Sequence, residues 1–365
     1  MPNADAYLHD SFAAFELGAP VAGAKRFGQG HINDTYLVET QASRRFIFQR
    51  ISPVAFKRPD QLMENVVGIT EYLSRELEKT GGDARRGTLR FLRTREGGYY
   101  YTDPDGGAWR TYPFVEGTVC YETAETPELF AASGRAFGRF QRLLQGYPAQ
   151  TLYETIPRFH DTEDRLAKLK AAAEADPLGR KAGCQAEISF ILAREADCSV
   201  ALQALREGRL PLRVTHNDTK LNNVLMDEKT GEGVCIVDLD TVMPGLSIND
   251  FGDSIRFGAN HCAEDERDLS KVSLDLQLFA LYTQAFLEGA GGTLTDEEIA
   301  YLPWGAKLMT LECGMRFLTD HLEGDVYFHT SRAGQNLDRC RTQCKLVADM
   351  EAHWDEMKSI VEKYR

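Results

Sequence analysis

Residues 212–241 read LRVTHNDTKLNNVLMDEKTGEGVCIVDLDT, and the alternation of short apolar runs with polar loops in this stretch governs the reading of the whole chain. LRVTH, NVLMD and VCIVD are strand-like, and the turn-forming residues between the last two predict a hairpin. The loop after the first run carries His216, Asp218 and Asn223 in the order H-x-D-x-x-x-x-N. One turn with that spacing presents a carboxylate and an amide to a single phosphate group. The aspartate is suited to receive the proton of an acceptor hydroxyl, and the asparagine to bind magnesium. Lys220, two residues after the aspartate, is placed to balance charge on a transferred phosphoryl group. The hairpin's second strand ends in Asp238 and Asp240. Hard magnesium prefers carboxylate oxygen with water and substrate phosphates, so Asp238, returned beside Asp218 by the hairpin, is the candidate metal ligand. Asp240 is the alternative.

Working outward, residues 25–115 are rich in short β-prone runs: Asn33 to Glu39, Arg44 to Ile51, Leu89 to Thr94, Tyr99 to Thr102 and Trp109 to Val115. GQGHINDTY, residues 28–36, precedes one of them. Gly28 and Gly30 permit backbone N–H groups to approach phosphate oxygens, and a strand rather than a helix follows, which predicts a hairpin and excludes a dinucleotide-binding turn. His31, Asn33 and Thr35 add donors to the same loop. Leu62, Val66, Ile69, Leu73 and Leu77, after Pro59, predict an amphipathic helix over 59–79. Beyond residue 116 the pattern is helical, with stretches around Phe130 to Leu144 and over 184–206, 265–288 and 296–322. The triplet DFG at 250–252 lies beyond the strand that already supplies Asp238, so Asp250, Asp253 and Arg256 are expected to open and brace a helix beneath the catalytic loop. Cys340 and Cys344 continue an apolar stripe through Val347, Met350, Trp354, Met357 and Val361, which predicts core packing and not a metal site.

The chain has 365 residues, 43% apolar and 27% charged, with a formal charge of −13. That is globular composition with room for two packed units, and it excludes a disordered or disulfide-stapled chain. The acidic balance argues against nucleic acid or an anionic membrane as partner. No export signal or membrane span is visible and the eight cysteines read as reduced thiols, so a cytoplasmic location is expected. No pattern specifies an oligomeric state.

Together these elements resemble the aminoglycoside phosphotransferase and choline kinase superfamily over nearly the whole chain. HINDTY, THNDTKLNN, IVDLDTVMPG and DFGDSIR are similar to the N-acetylhexosamine 1-kinases. The resemblance implies an α+β, protein-kinase-like fold of two lobes: a small β-rich lobe over residues 1–115 that binds nucleotide, and a larger helical lobe over 116–365. It implies ATP and Mg2+, with nucleotide against Gly28, Gly30, Asn33 and Thr35 and at the junction of Phe114 and Val115. It also implies Asp218 as base with Lys220 beside it, Asn223 and Asp238 on the metal, and a sugar pocket of His31, Asp218, Arg316 in GMRFL and Tyr327 in GDVYF. The implied reaction is phosphorylation of the anomeric hydroxyl of N-acetylglucosamine or N-acetylgalactosamine. One departure stands out. Small lobes of this kind supply a lysine from the third strand, where RFIFQR offers Gln49 and then Arg50. Arg50, with Glu64 as its partner, is the candidate replacement. The alternatives are a phosphotransferase of the same fold acting on an aminoglycoside, choline or homoserine, and a kinase-like regulatory protein.

Overall fold

The computed structural model describes residues 4–28 and 33–365, so Gly30 and His31 lie outside the described residues. The N-terminal part is an antiparallel sheet in the order β1-β2-β3-β5-β4, formed by β1 (Val21–Arg26), β2 (Asp34–Thr40), β3 (Arg45–Ile51), β4 (Tyr101–Thr102) and β5 (Ala108–Pro113). Helix α1 (Ala4–Ala14) covers one face and α2 (Pro59–Lys79) the other. Because successive strand residues point to opposite faces, β3 is apolar on both. Phe46 and Phe48 pack outward with Tyr36, Trp109 and Phe15, while Ile47 and Ile51 pack inward with Leu62, Val66 and Ile69 of α2. Helix α2 occupies the predicted span, with Pro59 in its first turn and its apolar stripe buried.

A short α3 (Ala84–Gly87) leads to the segment expected as a strand at Leu89–Thr94. That segment follows the sheet edge without forming a ladder. Leu92 N–H bonds the Thr111 carbonyl and Thr94 makes an isolated bridge with Phe15, beyond the Ala108–Trp109 end of β5 that pairs with β4.

The chain then crosses through residues 114–117 into β6 (Thr118–Val119), α4 (Pro127–Leu143), α5 (Thr162–Ala175), α6 (Gln185–Leu192), α7 (Val200–Arg206) and β7 (Arg213–Thr215). The hairpin β8 (Val224–Asp227) and β9 (Gly233–Ile236) follows, with β10 (Met243–Gly245) and α8 (Ser247–Gly258). The remainder is α9 (Leu276–Ala290), α10 (Asp296–Ala300), α11 (Leu302–Glu323), α12 (Gln335–Ala352) and α13 (Trp354–Tyr364). Strands β6, β8 and β9 form one small sheet and β10 and β7 another.

Several predicted helices are shorter than their apolar periodicity suggests. The 184–206 stretch is α6 and α7 around a 3-10 turn at Glu195–Ser199. The 265–288 helix begins only at Leu276, where the Asp275 carboxylate accepts the Gln277 and Leu278 N–H groups and so fixes the start. The 296–322 stretch divides into α10 and α11, and the C-terminal stripe breaks at His353. Cys340 and Cys344 are buried in an apolar cluster with Leu311, Phe317 and Val347, as core residues. The largest apolar cluster runs without interruption from Ile47 and α2 through α4, α8 and α9 to Val361. Among the described residues no helix is long and apolar enough to cross a membrane.

Candidate active site

The catalytic-loop candidate, between β7 and β8, rests on α8. Asp250, fully buried, accepts the backbone N–H of His216 at 2.9 Å and of Asn217 at 2.8 Å, and the amide of Gln141 at 2.7 Å. Asp253 accepts Thr219 N–H at 3.0 Å and pairs with Arg256, while the Ser254 hydroxyl donates to the Thr219 carbonyl. The DFGD segment therefore braces the loop as expected. Its glycine permits the contact beneath: a Cβ on Gly252 would meet the Gly305 carbonyl oxygen of α11 at 2.1 Å. His216 is buried, and its Nε2 lies 2.9 Å from the Val237 carbonyl, which links the loop to the end of β9.

Above this base, Asp218 lies partly exposed. Lys220 Nζ is 2.8 Å from its carboxylate, and Asn223 Nδ2 donates to its Oδ2 at 3.2 Å and to its carbonyl at 2.8 Å. Both bonds hold the carboxylate in one orientation and leave Asn223 Oδ1 as a spare oxygen donor. The β8–β9 hairpin brings Asp238 back toward Asp218. Asn217 and Asp238 both take left-handed backbone conformations, φ 65° and 56°, which asparagine and aspartate tolerate better than other side chains and which cluster at functional sites. Asp238 reaches solvent, and among the described residues no donor occupies its carboxylate. The surrounding protein mass, and then the charges of Asp240 and Asp218, push its acid above the ordinary carboxylate range. No group of three or more His, Cys, Asp or Glu side chains among the described residues is arranged to hold a metal alone. Asn223 Oδ1 and the Asp238 carboxylate fit a hard cation that completes its shell with phosphate and water.

The small-lobe candidates divide. Asn33 and Thr35 reach the cleft face, where Asn33 donates to Asp240 at 2.6 Å and Thr35 accepts from Gln49 at 3.2 Å. Gly28 has φ 76°, a conformation glycine adopts without strain. Phe114 N–H bonds the Arg45 carbonyl, and Val115 is buried with its carbonyl accepting the Thr118 hydroxyl. The expectation for Arg50 is corrected. It belongs to the outer face, where Nε donates to Asp103 at 2.8 Å beside the Trp109 indole, and its side chain is 5% exposed. Glu64, its expected partner, is exposed on α2. The arginine on the cleft face is Arg110 of β5, which pairs with Asp240 at 2.5 Å.

Arg316 of α11 is flanked by aromatic rings, with Cζ 5.2 Å from the Phe159 ring centre, 5.8 Å from that of Tyr327 and 5.3 Å from that of Phe328. Tyr327 is 68% exposed. Its loop is held by a residue that sequence reasoning missed. Asp320, buried, accepts the N–H groups of Val326, Tyr327 and Phe328 at 2.9, 2.7 and 3.0 Å and the Asn336 amide at 2.8 Å. His160 and Glu312 were missed as well. His160 Nδ1 lies 2.8 Å from Glu312, one turn before Arg316, and Nε2 lies 3.2 Å from the carbonyl of Asn217. Burial disfavours the imidazolium, but the Glu312 carboxylate outweighs it and raises the ring's pKa. No local sequence signal marks partners 152 positions apart.

Residues 23–280 match the phosphotransferase enzyme family. In fold, the chain is similar to an aminoglycoside phosphotransferase from Alicyclobacillus acidocaldarius, at 14% identity and TM-score 0.59 over 97% of this chain and 96% of that one. It is also similar to an amicoumacin kinase solved with AMP-PNP, Ca2+ and Ami, at 15% identity and TM-score 0.61 over 94% and 93%. A microcompartment-associated aminopropanol kinase aligns at 15% identity and TM-score 0.58 over 97% and 98%. At these identities the likeness is one of fold.

Proposed function

The chain belongs to the phosphotransferase enzyme family, and from that premise we propose that it transfers the γ-phosphoryl group of ATP to the anomeric hydroxyl of an N-acetylhexosamine, giving the sugar 1-phosphate. Residues 1–115 form the lobe that grips nucleotide, and residues 116–365 carry the catalytic loop and acceptor pocket. The observation that carries the reading is the connection of Arg316 to the catalytic loop. Glu312 on the same helix holds His160, whose other nitrogen contacts the residue before Asp218.

In this reading Asp218, oriented by Asn223 and Lys220, takes the proton of the anomeric hydroxyl as that oxygen attacks phosphorus. Lys220 balances charge on the transferred group. Asn223 and Asp238 would hold magnesium, which when bound neutralises the β- and γ-phosphates. Arg316 and the exposed Tyr327 present donors to the sugar's hydroxyl and acetamido oxygens, joined by His31 in the family pattern.

The pocket's chemistry separates this acceptor from two rivals. A quaternary ammonium needs an open aromatic cage, but the rings of Phe159, Tyr327 and Phe328 already surround the Arg316 guanidinium. A polycationic aminoglycoside would meet both Arg316 and Arg165, whose guanidinium is destabilised by burial and by Arg316 itself. Among the described residues neither arginine has an ion-pair partner. That favours one second reading, a small alcohol bearing a carboxylate, such as homoserine. Turnover with magnesium, ATP and N-acetylglucosamine, N-acetylgalactosamine, their methyl glycosides and homoserine tests the assignment. The free sugars should be phosphorylated and the methyl glycosides spared, because the blocked oxygen is the one Asp218 must deprotonate. Phosphorylation of a methyl glycoside overturns attack from the anomeric position, and turnover of homoserine alone selects the second reading.

A further inference from the structure

Thr35, Gln49 and Arg110 form one cross-strand row. Thr35 registers with Gln49 between β2 and β3, and Gln49 registers with Arg110 between β3 and β5. All three side chains bond along that row on the cleft face. Gln49 Nε2 donates to the Thr35 hydroxyl, and Gln49 Oε1 accepts from Arg110 Nε at 3.0 Å and Nη2 at 2.8 Å. The row ends across the cleft, where Arg110 Nη1 donates to Asp240 Oδ1 at 2.5 Å. The other oxygen of Asp240 accepts from Asn33 Nδ2, and Asn33 Oδ1 in turn accepts the Ser52 N–H at 2.9 Å, at the end of β3. Arg110 and Asp240 are 2% and 3% exposed.

A single buried carboxylate of the large lobe thus receives two donors from the small lobe, one from the sheet and one from the root of the glycine-bearing loop. We propose that Asp240 is not a metal ligand but the key that seats the small lobe over the cleft, so that Arg110 and Asn33 act as positioning residues for the nucleotide. Both oxygens of Asp240 are occupied, whereas those of Asp238, two residues earlier, are open to the cleft. A cation at Asp240 would have to displace a buried guanidinium and leave it unpaired. The pair also accounts for the absent third-strand lysine. Gln49 holds Arg110 on the inward row, and the arginine's charge is spent on fixing the lobes.

This inference rests on reading Asp238 as the metal carboxylate, and the experiment separates the two. Binding of AMP-PNP is measured by calorimetry across a magnesium series for wild type, Asp240→Asn, Asp238→Asn and the double variant Arg110→Leu/Asp240→Leu, with melting curves on each. Asp240→Asn should weaken AMP-PNP binding on the order of tenfold, the scale of one lost charge-assisted contact, at an unchanged magnesium midpoint. Asp238→Asn should move that midpoint. The double variant, which removes both charges, should recover a melting temperature near wild type and still bind AMP-PNP weakly. A magnesium midpoint shifted by Asp240→Asn as far as by Asp238→Asn makes Asp240 a ligand and overturns the proposal. So does full AMP-PNP affinity in the folded double variant. A midpoint unmoved by Asp238→Asn sinks the metal reading alone and leaves the affinity test of Asp240 standing.

Discussion

Asp238 has no protein donor on its carboxylate among the described residues and the partly exposed Asp218 takes only Lys220 and Asn223 on its own, whereas Asp250 and Asp253, one layer deeper on α8, are filled by backbone N–H groups of the loop they carry together with Gln141 and Arg256. All four are aspartates within 36 positions, and nothing in residue type distinguishes them. The difference lies in who supplies the donors. Where the protein's own N–H groups saturate a carboxylate, it holds structure. Where they do not, it is free for a proton or a cation. Asp240, saturated by the opposite lobe, belongs with the deeper layer although it lies beside Asp238.

The sharpest test of that division is Asp218→Asn, which should cut turnover by at least about 100-fold while AMP-PNP affinity and melting temperature stay near wild type. Near-normal turnover would remove Asp218 from the upper layer. Asp250→Ala should do the reverse and act first on folding. It strands the His216 and Asn217 N–H groups and the Gln141 amide in a buried site, a loss of about 3 kcal/mol in urea unfolding. A stable Asp250→Ala variant with lost turnover would erase the distinction between layers.

Asp320→Ala extends the comparison to the acceptor side. Releasing the three N–H groups that set the Tyr327 loop should raise KM for the acceptor several-fold, on the order of 1 kcal/mol of binding, with KM for ATP unchanged. Equal changes in both constants would show general destabilisation instead. The smallest expected effect is that of His160→Gln. The ring meets Glu312 and the Asn217 carbonyl, with Arg316 and Asp253 in electrostatic reach. Its pKa is raised in the fold, so its charged-form stabilisation is complete below the unfolded value of about 6.5 and is lost as pH rises through the folded value. The stability deficit of His160→Gln should therefore be widest in acid and narrow toward alkaline pH. A deficit independent of pH would mean that only the neutral ring matters.

The β8–β9 hairpin, the polar loop at 216–223 and α2 were legible because each is specified by contiguous residues: the DEKTGEG turn, the H-x-D-x-x-x-x-N spacing, and Pro59 followed by a stripe at helical period. Which arginine faces the cleft was not. RFIFQR is apolar around Gln49 and Arg50 on both faces because α1 and α2 cover both, so alternation alone cannot tell inside from outside. Only the register with β5 brings Arg110 onto the inward row. The helix expected from residue 265 failed for a local reason that was readable. Asp275 followed by LQLFALY is an N-cap before an apolar run, and the charged residues before it have no face to bury. His160, Glu312 and Asp320 act through partners fixed by tertiary packing, beyond any local signal.

The uninterrupted apolar cluster from the inner face of β3 through α2 to α13 has a consequence for how this molecule comes apart. A nucleotide lobe with its own sealed core could melt, be swapped or be expressed by itself. Here, cutting near residue 116 would leave Ile47, Ile51, Leu62, Val66 and Ile69 facing water on one fragment and their counterparts on α4 exposed on the other. The inner half of the sheet and α2 are therefore cooperative with the helices beneath them, and heat should unfold them in one shared transition. Within the N-terminal part, the described residues of the outer layer, Leu8 and Phe15 against Phe46, Phe48 and Trp109, form an apolar cluster separate from that core, which makes this layer able to fray without opening the rest.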